Sequence, residues 1–266
     1  MVCGPNGRMR MIYAVILAAI CCPLATNAAR AQRFIPDCAG RAEISNARVM
    51  RVERNGALIL SDGRAVLLEG IRLPQPEAGP RYLSDRALSV LTELAQQGPV
   101  TFTATPPKQD RYDRVRAQGF NQAWLQIALL EQGLARVAIS PDRSECAPEL
   151  YEAEARARAR RAGIWAITAY APRSSQAMQG TAGSFQVVEG WVTNVGNRDG
   201  RVSIDFGNDW NRGFSAVIAT EDRRAFRGYE LGSLIARHVR IRGMVQNVRG
   251  RPEIALANPS QIELLN

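Results

Sequence analysis

Two hairpin dipeptides, Asn55-Gly56 and Asp62-Gly63, break residues 47–71 into three short apolar runs, the last of them "RAVLLEGIRL". Such dipeptides supply the positive φ that tight primed turns require, so the spacing predicts three short strands joined by turns. A helical period then takes over. In "RYLSDRALSVLTELAQQG", Leu83, Ala87, Val90, Leu91 and Leu94 share one face and Gly98 ends the helix. "PVTFTAT" and "RVRAQGF" return to strand. "QAWLQIALLEQGLARVA" predicts a second amphipathic helix closed by Gly133 and followed by a short strand. A third helix is predicted from about Pro148 to Ala162, with Glu149 and Glu152 at its positive end and Arg158, Arg160 and Arg161 at its negative end. Those arginines complement the helix dipole on a solvated face; phosphate binding is the alternative reading.

Residues 171–184, "APRSSQAMQGTAGS", carry no apolar period and read as a linker. Beyond them "FQVVEGWVTNVG", "RVSIDFG", "FSAVIA", "RHVRIRGMVQNV" and "RPEIALANPSQIEL" predict five strands, with a short helical stretch over Asp222 to Arg227. Five strands and one interposed helix is the count of an OB-type barrel. The expected class is therefore mainly β with α (α+β): a barrel with three helices over 32–170, a linker over 171–184, and a second small barrel over 185–266.

The first 31 residues stand apart. Arg8 and Arg10 precede the apolar run Ile12 to Ala25, and Ala29-Arg30-Ala31 offers a small-x-small cleavage site, the pattern of a secretory signal peptide. Periplasmic or secreted localisation is expected, with no membrane span after cleavage, because the apolar run is short for one. Cys21 and Cys22 raise lipidation, but Ile20 occupies the position before the cysteine where a small residue is needed. Loss of the leader removes three of five cysteines and leaves Cys38 and Cys146, which are expected to pair in an oxidising compartment; two separate buried thiols are the alternative.

Net charge is +9, and removal of Arg8, Arg10 and Arg30, with no acid among those 31 residues, lowers it to +6. This balance suits phosphate-rich or acidic partners without specifying nucleic acid. The single histidine, His238, lies in the alternating run "RHVRIRG", which argues against histidine-dependent hydrolysis or a zinc centre. Trp191, Phe206, Trp210 and Phe214 interleave with Arg198, Arg201 and Arg212, as a stacking platform for single strands or as the core of a small barrel. Asp205 and Asp209 have no second cluster to complete a metal site.

The series "LSDGRAVLLEGIRLPQ", "QDRYDRVRAQGF", "LLEQGLARVA" and "ELYEAEARARARRAGIWA" resembles, in order, the staphylococcal nuclease (thermonuclease) domain over roughly residues 44–167. The resemblance implies an OB-type barrel with three helices and calcium-dependent cleavage of DNA or RNA. In that family acidic residues hold the metal, a glutamate handles the attacking water, and two arginines stabilise the phosphate.

Carried onto this chain, those positions are altered. Arg72 stands at a metal-ligand aspartate, Leu73 beside it, and Gln75 at the glutamate, while Pro74 is retained. Leu67 falls on one phosphate-binding arginine, and Gly56, or Asn55 with a one-residue slip, on the other ligand aspartate. A guanidinium ~4 Å from a divalent cation costs on the order of 8 kcal/mol at an effective dielectric of ~20. Gln75 orients water but takes no proton, so the general-base contribution, ~10²–10⁴-fold, is missing as well. Glu77 and Glu53 would have to act from the wrong register. Calcium, the family's cofactor, therefore has no expected ligand set here.

On the phosphate side, Asp110-Arg111-Tyr112-Asp113-Arg114 resembles the family's nucleotide-contacting segment, with Arg114 on the second catalytic arginine. Arg72, Arg111, Tyr112, Arg114 and Arg116 are the nucleic-acid-binding candidates; an ion pair with Asp113 or Glu69 is the other reading of Arg114. Ile139 and Pro141 replace the family's base-flanking tyrosines. Three functions follow as expectations: a degenerate nuclease-fold protein binding nucleic acid or another envelope partner, protein or polymer; a nuclease with a relocated site; or a scaffold in an envelope assembly. Oligomeric state is not legible.

Overall fold

The computed structural model describes residues 35–198, 200–207 and 213–265, without the Arg198 side chain. The expected leader with Cys21 and Cys22, and Asp209, Trp210 and Arg212, lie outside the described residues.

The first barrel is built from β1 (Arg41–Ala47), β2 (Val49–Val52), β3 (Leu58–Leu60), β4 (Ala65–Leu68), β6 (Val100–Ala104) and β7 (Val115–Phe120), with β5 (Ile71–Arg72) and β8 (Arg136–Val137) forming a separate two-stranded ribbon. Its sheet runs β1-β6-β7-β4-β3-β2. β1 and β2 stand at opposite ends of that order yet are one length of chain interrupted at Arg48, so the sheet closes on itself. Three helices pack around it: α1 (Arg81–Gln96), α2 (Leu125–Glu131) and α3 (Ala147–Ala159). α1 presents Ala87 and Leu91 inward, as its period requires, against a core that includes Leu58, Val66, Phe102 and Leu129, while Leu83 packs with Ile164, Trp165 and Tyr170 behind α3. β1 carries no turn signal ahead of it and a mostly exposed pattern, which is why the hairpin dipeptides alone do not reveal it.

The second barrel closes through β10 (Phe185–Arg198), β11 (Arg201–Phe206), β12 (Ser215–Ile218), β14 (Arg251–Ala255) and β13 (His238–Val248), which pairs back onto β10. A sixth strand, β15 (Ile262–Leu265), joins β13. It belongs to the last predicted run, which splits because Asn258 and Gln261 form a capping box that opens a 3-10 turn between β14 and β15. The helical stretch expected at 222–227 is a 3-10 turn over Glu221–Phe226.

The two barrels share one topology. In each, the third strand pairs in parallel with the fifth, β4 with β7 and β12 with β14, while the other barrel pairings are antiparallel. A helical element bridges the third and fourth strands of both: α1 in the first, the Glu221–Phe226 turn in the second.

The segment expected as a linker is part of the second barrel. It contributes β9 (Arg173–Ser174), parallel to β10, and buries Met178 among Val192, Phe206 and Phe214. One anchor and a two-residue strand are too short to leave a period in the sequence. Residues 35–265 thus lie in one compact unit. The disulfide Cys38–Cys146 ties the chain ahead of β1 to the start of α3, beside buried Ala39 and Phe120. No helix among the described residues is long and apolar enough to cross a membrane.

Candidate functional site

The end of β4, the turn at Gly70 and the loop behind β5 frame a cavity of about 260 Å³. Asn55, Gly56, Leu67, Glu69, Arg72, Leu73, Gln75, Arg116 and Ser140 are among its lining residues. The positions aligned with the family's metal ligands, its glutamate and its first phosphate-binding arginine therefore border one space, whereas Asp113, Ile139 and Pro141 do not line it. Glu53 and Glu77, the acids weighed as substitutes, do not line it. Asn55 is spent locally, its Oδ1 accepting from the Ala57 amide at 2.9 Å, and Gly56 holds φ 85° in the same turn. The Gln75 amide donates to the Leu73 carbonyl, while Tyr170 hydroxyl donates to the Gln75 carbonyl, so the loop is pinned from the far side of α3.

Arg72 is half-buried and makes neither of the contacts an arginine there would be expected to make. It has no ion pair and no hydrogen bond among the described residues; its guanidinium lies 5.8 Å from the Phe185 ring of β10, and its Nε is buried without an acceptor. Across the β5–β8 ribbon it faces Arg136. Arg136 is buried, donates to the Phe185 carbonyl at 3.1 Å, and stacks on Phe185 and Tyr170 at 4.9 and 5.1 Å. Burial lowers its pKa to about 10; the charge of Arg72 pushes the same way, against Tyr170 and Glu154.

Glu69 is the one carboxylate lining the cavity. It is buried in the turn that follows β4, accepts a short hydrogen bond from Ser140, and sits 3.6 Å from Arg116 and 4.0 Å from Arg143. Burial raises its pKa despite those partners. Arg116 is clamped by Asp142 at 2.8 Å, and Arg143 is paired with Glu145. Asp142 is correspondingly held below the usual carboxylate range by its bond from Arg116. Arg116 thus borders the site as part of a neutralised network, with Leu67 opposite it across β4 and β7.

The 110–114 turn forms a second feature. Asp110 accepts from the Tyr112 and Arg114 amides and pairs with the Arg114 guanidinium at 2.7 Å, so Arg114 is ion-paired, to Asp110 rather than to Asp113 or Glu69. Asp113 takes φ 59°, the conformation its family counterpart, a glycine, adopts freely. Tyr112 is exposed, with Arg111 and Arg114 at 4.9 and 5.0 Å from its ring. Ile139 is buried.

The arginines of α3 are occupied as well. Arg156 bonds Glu131 and Glu152, Arg158 lies over Trp165, and Arg160 donates to the Glu131 carbonyl. In the second barrel Phe206 and Phe214 pack together in the core. Trp191 is exposed and stacked on His238 at 5.1 Å.

A closed barrel with a parallel third and fifth strand, three helices, and a cavity between the β4 turn and the following loop defines an OB-type barrel of nuclease architecture. Residues 65–167 match the family model described as staphylococcal nuclease homologue. No curated protein matches the chain. The match begins at β4; β1 to β3 complete the same barrel outside it.

Sequence reading named Glu69 only as a possible partner of Arg114 and missed Arg136, Ser140 and Phe185. For Glu69 a signal exists: a carboxylate inside the apolar run "RAVLLEGIRL" is out of place when buried unless partnered. For Phe185 there is none, because it reaches the first barrel from the second.

Proposed function

We propose that this is a secreted or periplasmic nuclease-fold protein that has lost metal-dependent cleavage and binds a polyanion, nucleic acid foremost, through its first barrel. The single observation that carries the reading is Arg72: an unpaired guanidinium lines the cavity where the family holds its cation. The remaining donors argue the same way. Glu69 is the one lining carboxylate and is already engaged by Ser140 and two arginines, whereas calcium takes six to eight oxygen ligands. Calcium does not fit this donor set, and no chemical step is drawn through it.

Exposed Tyr112 between Arg111 and Arg114 supports contact with a phosphate backbone and its bases. The periplasmic or secreted placement rests on the leader pattern and on a disulfide that suits an oxidising compartment.

The purified protein should bind labelled single-stranded oligonucleotide with an affinity that falls steeply with salt, and should show no calcium-stimulated cleavage. Turnover that survives repurification and vanishes in Arg114→Ala would establish a nuclease with a relocated site. Absence of binding even at low salt would favour a scaffold, a reading supported by the buried Arg242–Glu154 ion pair between the two barrels.

A further inference from the structure

We propose that the cavity at Arg72 is a metal-independent site for a phosphoryl anion, held by Arg72 with the charge of Arg136 behind it. The proposal deepens the polyanion reading and rests on it for the class of ligand.

The charges at this site do not balance. Three other buried arginines each have a carboxylate: Arg143 has Glu145, Arg240 has Glu189 at 2.6 Å, and Arg242 has Glu154 at 2.7 Å. Arg72 and Arg136 do not, although they face each other across two paired strands. A buried Nε without an acceptor is shared with paired Arg143 and Arg242, so the distinction is the missing carboxylate: the side of Arg136 is covered by two aromatic rings and one carbonyl. Aromatic faces and a single carbonyl do not neutralise two adjacent guanidinium groups in a low-dielectric site. Arg72 opens onto a cavity roomy enough for a tetrahedral oxyanion. A guanidinium fork matches phosphoryl oxygens in pairs, where an ammonium would not.

Glu69, in the same cavity, tests the idea from the other side. Arg116 and Arg143 reach it but are themselves paired with Asp142 and Glu145, and its burial favours the neutral acid, so the anion meets the unpaired charge of Arg72.

The experiment uses the purified protein in the presence of a calcium chelator. Thermal unfolding is recorded in inorganic phosphate and in chloride at matched ionic strength, beside binding of labelled single-stranded DNA. Four variants accompany it: Arg72→Met, Arg72→Lys, Arg111→Ala in the exposed 110–114 turn and, as a control away from both, Arg224→Ala on the second barrel. Phosphate should raise the wild-type Tm, leave Arg72→Met unmoved, and still raise Arg224→Ala. Arg72→Met should not unfold earlier than wild type in chloride, because it removes an unpaired charge; a purely structural arginine would show the opposite. Should Arg72→Met fold poorly, Arg72→Lys keeps the charge and should retain part of the phosphate shift. DNA affinity should fall about tenfold or more in Arg72→Met, the worth of one charge-assisted contact.

A phosphate shift that persists in Arg72→Met, or is absent from wild type, overturns the proposal. A shift that depends on Arg72 without any DNA binding assigns the site to free phosphate: the pocket then stands and the nucleic-acid reading fails separately. DNA binding that ignores Arg72 while requiring Arg111 leaves that reading intact and overturns this one unless the phosphate shift still depends on Arg72.

Discussion

Arg242 of β13 donates to Glu154 of α3 at 2.7 Å, and both side chains are almost fully buried where the second barrel meets the first. Arg242 also donates to the Val137 carbonyl at 3.1 Å and pairs with Glu263 of β15, while its guanidinium lies over the Tyr151 ring. Tyr151 hydroxyl donates to the Ser260 carbonyl, a further bond across the same boundary. A buried pair of this kind is weak evidence for net stability, but removing one partner leaves a charge with no water to receive it.

Arg242→Ala or Glu154→Ala should therefore each cost about 3–5 kcal/mol in denaturant unfolding, whereas replacing both by apolar residues of similar volume should come close to wild type. Equal costs for single and double replacements would contradict this.

Gly133→Ala should destabilise the first barrel. Gly133 ends α2 at φ 64°, and a Cβ there would stand 2.0 Å from the Ala162 carbonyl oxygen, a backbone atom that cannot turn aside. The Gly133 carbonyl also accepts from the Ile164 amide, which fixes the distance between the ends of α2 and α3. The expected cost is about 3 kcal/mol or more, read as a lowered Tm with the second barrel intact.

Reduction of Cys38–Cys146, or Cys38→Ser with Cys146→Ser, should lower stability. The bond spans a sequence separation of 108 residues. The chain-entropy model sets the upper end of the loss at ~4.7 kcal/mol for a loop of about this length. Titration of the unreduced protein with a thiol reagent should find no free thiol at either position.

Glu69 should leave a signature in the dependence of stability on pH. Its native pKa lies above the ordinary glutamate value, chiefly through burial, with Glu145 adding to the shift and Ser140, Arg143 and Arg116 opposing it. The native state thus holds this proton more tightly than the unfolded chain, so Glu69 lowers stability as pH rises from the ordinary glutamate value through the raised one. Asp110 and Asp142 act in the opposite sense, since both are held low in the native state and lose their contribution on acidification. Glu69→Gln removes only the first effect. A Tm profile of Glu69→Gln parallel to wild type across the acidic range would sink this account.

How much of this was legible in the sequence differs from element to element. The strands at 58–60 and 65–68 and helix α1 follow from turn dipeptides and period, because both signals are local. Arg72 and Gln75 at one loop are equally local: the position of a charge along a strand is a property of the chain, and it already argued against a metal. What Arg72 does instead was not legible. Its surroundings come from Phe185 of the other barrel and from Arg136 across a two-residue ribbon. The ion pair that is the alternative reading of Arg114 exists, but its partner is Asp110, selected by the turn's hydrogen bonds rather than by proximity along the chain to Asp113.

The sequence by itself determined the turn-joined strands and helix periods of the first barrel, the resemblance to a nuclease domain, and which residues stand at the positions that resemblance aligns. Tertiary structure alone decided where β1 lies, that 171–184 is built into the second barrel, that Glu69 is partnered while Arg72 is not, and that both barrels repeat one strand order. The physical reason is range. Period, turn chemistry and residue identity act over a few residues, whereas charge balance and desolvation are settled by groups brought together from distant parts of the chain.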